Sequence, residues 1–118
     1  MSDDQRIHKA AAQGDLKALQ EELDNGVSVD LSGRGDWTPL HHAVENKQLE
    51  AVKLLVERKA AVDKGDGSDW TALHSACYVG CVEAAAFLLD SRADINKRNN
   101  YGETPLMLAA GPSCVKLL

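Results

Sequence analysis

At 118 residues, 44% hydrophobic and 26% charged, the chain suits one small domain with a modest core and is too apolar to be disordered. A net charge of −5 argues against nucleic-acid binding, which needs a basic surface to neutralise phosphate. The longest apolar run, Ala84 to Leu89, is too short to span a bilayer, and the polar start Ser2-Asp3-Asp4-Gln5-Arg6 leads into no signal-peptide core. A cytoplasmic or nuclear protein without a membrane partner is therefore expected.

A fixed step of 33 residues organises the chain, since Thr38 recurs as Thr71 and as Thr104. Residues 5–32 read as a degenerate first copy, in which Ile7 and His8 precede Leu40 and His41 by that step. Leu16, Leu19 and Leu23 form one apolar stripe of a helix that Gly26 ends. This end is also the acidic pole: Asp3, Asp4, Asp15, Glu21, Glu22, Asp24 and Asp30 outnumber Arg6, Lys9 and Lys17. Such a pole serves solubility and offers a basic partner a target.

Residues 33–65 form the second copy. Thr38 is placed to cap a first helix, with Pro39 tolerated at its first position. Leu40, Ala43 and Val44 are its expected buried side, and Leu49, Val52, Leu55 and Val56 that of a second helix. The third copy, 66–98, repeats the scheme with Leu73, Ala76, Val82, Ala85, Leu88 and Leu89. The fourth, 99–118, opens as Asn99-x-x-Gly102-x-Thr104-Pro105-Leu106 and is incomplete. Gly111-Pro112 should break its helix. Leu106, Leu108, Val115, Leu117 and Leu118 are then expected to be partly unprotected, so that a monomer is the first expectation and dimerisation through this end the alternative.

The period, together with Thr38-Pro39-Leu40-His41-x-Ala43, Thr71-Ala72-Leu73-His74-x-Ala76 and Ala93-Asp94-Ile95-Asn96, resembles the ankyrin-repeat family. The resemblance covers nearly the whole chain, as three good copies and a truncated fourth. It implies an all-α solenoid of stacked helix-turn-helix units with β-hairpin or loop tips, forming a single domain over 1–118. Family members usually carry Gly after the second helix, where a left-handed residue reverses the chain. Lys59 and Arg92 stand there instead, each at an expected cost of about 1 kcal/mol.

Catalytic and metal chemistry find little support. His74, Cys77 and Cys81 are spaced along one nominal helix face, as zinc ligands would be. However, Cys77 matches the core positions Ala11 and Val44, Gly80 should end the helix before Cys81, and the resemblance gives His74 a structural role. The odd cysteine count (Cys77, Cys81, Cys114) points to reduced thiols rather than a disulfide framework. Asp63-x-x-Asp66-Gly67-Ser68-Asp69 lacks the glutamate that would complete a calcium loop and reads as a turn. His41-His42 has no partner carboxylate fixed by the motif, and no nucleophile elbow, phosphate loop or dinucleotide fingerprint occurs. No cofactor, metal site or enzymatic activity is expected.

In ankyrin stacks ligands lie along the loop tips and the exposed, concave side of the first helices. By position that face takes Trp37, Trp70 and Glu103, then Glu45, Asn46, Tyr78 and Val79, with Arg34, Ser68 and Tyr101 at the tips and Arg98 at the rim. Of the five aromatic residues, Trp37, Trp70, Tyr78 and Tyr101 map to this face and Phe87 alone to the core. Trp and Tyr bury large areas at low entropic cost, which suits an interface. For the two tryptophans a second reading stays open: packing on each other between adjacent tips. The expected function is a protein-interaction module, an adaptor or regulatory subunit that binds a partner protein. The alternatives are a structural fragment of a longer multidomain protein, or a small regulator similar to myotrophin or to the ankyrin-type inhibitors of cyclin-dependent kinases.

Overall fold

A computed structural model describes residues 3–109 of the chain, with side chains from Arg6 onward. Helices come in pairs: α1 (Asp3–Gln13) with α2 (Leu16–Asp24), α3 (Pro39–Glu45) with α4 (Leu49–Glu57), and α5 (Ala72–Val79) with α6 (Val82–Asp90). A short α7 (Pro105–Leu108) opens the fourth unit. The first helices form an inner row in the order α1, α3, α5, α7, and the second helices an outer row, α2, α4, α6. Contacts along the inner row are much the denser. Small side chains explain this: Ala10, Ala11, Ala43 and Ala76 are buried in that row and let backbones approach closely.

The core follows the repeat. Ile7, Leu19, Leu40, Val44, Val52, Leu55, Leu73, Cys77, Ala85 and Leu88 are fully buried. Leu23, Leu49, Val56 and Leu89 are only partly buried against it, and Val82 is half-exposed. Leu16 departs further from the expected stripe, being 38% exposed. It sits at the start of α2, a helix that packs chiefly on α1 and α4.

Two local devices fix the stack. Thr38 and Thr71 cap α3 and α5, and the N3 histidines answer them: His41 Nδ1 accepts from the Thr38 amide at 3.1 Å and His74 Nδ1 from the Thr71 amide at 3.1 Å. The other ring nitrogen crosses to the next unit, where His41 Nε2 donates to the Trp70 carbonyl (2.7 Å) and His74 Nε2 to the Glu103 carbonyl (2.9 Å). Each ring is therefore neutral, with its proton on Nε2. Thr104 makes no side-chain cap to the four-residue α7, and Met107 stands where the answering histidine would be. Asp30 and Asp63 supply a second link between units, accepting the amides of Ala61 (3.0 Å) and Asp94 (2.8 Å).

Each of the helices α1 to α6 ends on a left-handed residue: Gly14, Gly26, Lys47, Lys59, Gly80 and Arg92. At Lys59 (φ 75°), its amide bonds Val56 O while Ala60 N bonds Leu55 O, and Arg92 (φ 72°) repeats the arrangement with Leu89 and Leu88. These are Schellman closures, so the backbone demands at 59 and 92 what Gly26 provides in the first unit.

The tips are loops, and no strand occurs among the described residues. Each loop is spanned by a backbone bond, from Gly33 N to Trp37 O, Asp66 N to Trp70 O and Asn99 N to Glu103 O, with a tighter turn bond inside it (Asp36 N to Gly33 O, Asp69 N to Asp66 O and Gly102 N to Asn99 O), too little for a ladder. Left-handed Asp36, Asp69 and Gly102 turn the chain just inside these closures. Neighbouring tips are tied by Gly67 N to Gly35 O (3.0 Å) and Asn100 N to Ser68 O (2.9 Å). The expected break at Gly111-Pro112, with Cys114, Val115, Leu117 and Leu118, lies outside the described residues. Within them, Leu106 is 49% exposed, Leu108 is half-buried and Met107 is 62% exposed.

Candidate functional site

The inner helices and the tips carry the residues singled out from the sequence. Trp37 and Trp70 each stand one residue before a capping threonine whose extended backbone leads into α3 and α5. Both indoles are half-buried, and each packs on its own helix rather than on the other. Trp37 lies 5.9 Å from the His41 ring and meets His42 edge-on at 4.9 Å. Trp70 lies 5.6 Å from His74 and meets Tyr78 edge-on at 5.7 Å. The reading in which the two tryptophans stack together thus gives way to two separate clusters, one per unit.

The first cluster extends to His8, whose ring is 5.2 Å from His42. Its Nε2 bonds Leu31 O at 2.6 Å, so the degenerate first unit uses its histidine differently from His41 and His74. Burial pushes the His42 pKa down to about 4, helped by the nearby His8 and His41, and burial lowers that of His41 as well. At neutral pH both are neutral, His41 as a hydrogen-bonding group and His42 as a packing ring.

The second cluster is more polar. Trp70 Nε1 donates to the Ser75 hydroxyl at 2.8 Å, and that fully buried hydroxyl in turn faces the half-buried Glu45 carboxylate of α3. Burial raises the Glu45 pKa and Ser75 partly offsets the rise. Tyr78, one turn beyond Ser75, is 59% exposed. Trp70 thereby joins Tyr78, through its ring, to Ser75 and Glu45, through its N–H.

The remaining candidates divide. Arg34 and Tyr101 (74% exposed) stand out at the tips, while half-buried Ser68 gives its carbonyl to the tie between tips. Asn46 caps the end of α3 and returns its amide to His42 O at 2.8 Å. Val79 packs partly against the core. Arg98 reaches across its own loop to Gly102 O at 2.7 Å, and Glu103 accepts from Asn99 Nδ2 at 3.0 Å, so both also brace the third tip.

Two residues were missed from the sequence, His42 and Ser75. They occupy one repeat position, five residues after each tryptophan, and that shared offset was the available signal. For the metal reading, both nitrogens of His74 are committed, to Thr71 and Glu103, and Cys81 lies beyond left-handed Gly80. Asp66 accepts the amides of Ser68 and Trp70, which makes it a turn-former. No helix among the described residues is long and apolar enough to cross a membrane.

Comparison with known proteins agrees with this architecture. A family model described as ankyrin repeats (3 copies) matches residues 7–99 and again 66–118. Among curated proteins, the chain is similar to the "Ankyrin repeat, SAM and basic leucine zipper domain-containing protein 1" of Atelerix albiventris, at 56% identity over 32 residues. That match spans 27% of this chain and 7% of the relative's length. Ankyrin repeats are in general modules of protein–protein interaction. With a family model covering most of its length, an all-helical stack beneath it and the Thr-x-x-His caps in register, the chain belongs to the ankyrin-repeat family.

Proposed function

We propose that the chain is a non-enzymatic binding module that holds a partner protein on the inner-helix face and the tips, as an adaptor or regulatory subunit. The observation that carries this reading is the placement of the aromatic residues. Trp37, Trp70, Tyr78 and Tyr101 belong to the inner-helix starts, the inner helix α5 and the tips, from half-buried to 74% exposed, while Phe87 packs against the core. An aromatic surface of this kind, rimmed by Arg34, Glu45, Asn46, Arg98 and Glu103, has the make-up of an interface: apolar area at the centre, charge at the edge.

The test compares the proteins captured by wild type with those captured by Trp37→Ala, Trp70→Ala and Tyr78→Ala, each checked for unchanged helical circular dichroism. Tyr78→Ala is the most informative, because so exposed a side chain contributes little to folding. Loss of a specific partner from the variants supports the reading. Equal capture by all three overturns it.

A further inference from the structure

Resting on that reading, we infer that the corner formed by Trp70, Tyr78 and Glu45 receives a lysine or arginine side chain from a basic segment of the partner. The two rings stand at 79° with centroids 5.7 Å apart, so they form adjoining walls rather than a closed stack. The indole N–H is already given to Ser75 and the half-buried Trp70 ring also packs on His74, so what the pair offers a ligand is aromatic surface, most of it on Tyr78, which is 59% exposed. A cation within about 6 Å of an aromatic face is attracted by the ring quadrupole, most strongly for Trp.

Glu45 supplies the counter-charge. It stands on α3, which packs on α5, and its half-buried carboxylate interacts with the same Ser75 hydroxyl that accepts the indole N–H. Glu45 makes no ion pair among the described residues. A neutral or acidic occupant would remove more water from this carboxylate without a compensating cation, which is costly. A basic one gains the charge and both rings together. The period shows how the corner arises, because Glu45 and Tyr78 occupy the same position of successive units. Packing α3 on α5 sets an acid beside an aromatic where a strict repeat would set like beside like. Asp69 on the tip above is paired with Lys97 (4.0 Å), and the charge that favours a basic segment is that of Glu45 with the chain's overall −5.

The test follows the Trp70 indole N–H by nitrogen-15 NMR during titration with N-acetyl-arginine amide and N-acetyl-lysine amide. The norleucine and glutamate analogues serve as neutral and acidic controls. A saturable shift with the cationic probes alone, weakened about fivefold or more in Glu45→Gln, is expected. Equal behaviour of norleucine and the cations, or of wild type and Glu45→Gln, overturns the inference. A random peptide library selected on the wild-type protein separates this failure from that of the broader reading. Enriched basic residues, with binding lost in Glu45→Gln and Tyr78→Ala, support the corner. Peptides that need Trp70 and Tyr78 but carry no Lys or Arg overturn the cation site and leave protein binding standing. Selected peptides indifferent to every substitution on this face overturn both.

Discussion

Replacing the left-handed Lys47, Lys59 and Arg92 by glycine should stabilise the fold, although it deletes three exposed cations. Their φ values are 57°, 75° and 72°, and each carries a Schellman bond pair that holds the backbone there. A side chain in this region costs about 1–2 kcal/mol, which glycine relieves. Against that stand about 0.5–1 kcal/mol of extra chain entropy lost on folding and about 0.3 kcal/mol of helix-dipole attraction for an exposed cation. The balance is roughly +0.5 kcal/mol per site. The sites end three different helices, so their effects should add to about 1–2 kcal/mol. For a domain of this size that corresponds to a melting temperature higher by roughly 4–8 °C. Differential scanning calorimetry of the triple variant measures it. Alanine at the same positions removes the charge but keeps the strained Cβ, so the triple alanine protein should show no gain. A triple glycine variant melting at or below wild type, or an alanine control rising equally, would refute the reasoning.

Other perturbations test the links between units. His74→Phe, in urea melts, should cost about 1–3 kcal/mol, because it strands the buried Thr71 amide and leaves the Glu103 carbonyl with Asn99 N alone. Asp63→Ala should cost about 1 kcal/mol by freeing the Asp94 amide, and more than Asp36→Ala, whose carboxylate links no repeats. Stability should fall as pH drops from 6.5 toward 4, since the folded-state pKa values of His41 and His42 lie below the unfolded value and the unfolded chain takes up protons first. For His42 the drop from 6.5 to about 4 would amount to ~3 kcal/mol, reduced to roughly 1–2 kcal/mol because the ring is partly solvated. His42→Gln should flatten the profile, whereas Glu45, whose raised pKa favours the folded state as pH falls, opposes it. An unchanged profile in His42→Gln would remove that assignment.

Much of the fold was legible because it is written in local terms. Threonine before a helix, histidine three residues on and a residue forced to positive φ are demands of backbone geometry, and a 33-residue step repeats them. That the strain at Lys59 and Arg92 could be placed in advance follows from the same locality. What escaped depends on neighbours. Leu16 fits an apolar stripe as well as Leu19 does, yet only Leu19 is enclosed between α1 and α4. Arg98 and Glu103 look like rim charges, but the loop that carries them also uses them as braces. Which side chain meets an indole depends on how a helix is rotated in the stack, and periodicity alone does not give that rotation.

The two tryptophan clusters show where the repeat stops being redundant. Trp37 and Trp70 share a position, as do His42 and Ser75, and Glu45 and Tyr78, so the backbone presents the same three places twice. In the second unit they hold Trp, His and Glu, and the indole packs edge-on against a ring that burial keeps neutral. In the third they hold Trp, Ser and Tyr, and the smaller serine lets the indole N–H reach a hydroxyl that also faces Glu45 across the boundary. A histidine at 75 would fill that space with a ring and separate the carboxylate from the aromatic pair. The threonine–histidine caps hold both units in one register. Against that fixed frame, a change of two side chains turns a packed aromatic cluster into an open corner with a negative charge at its edge.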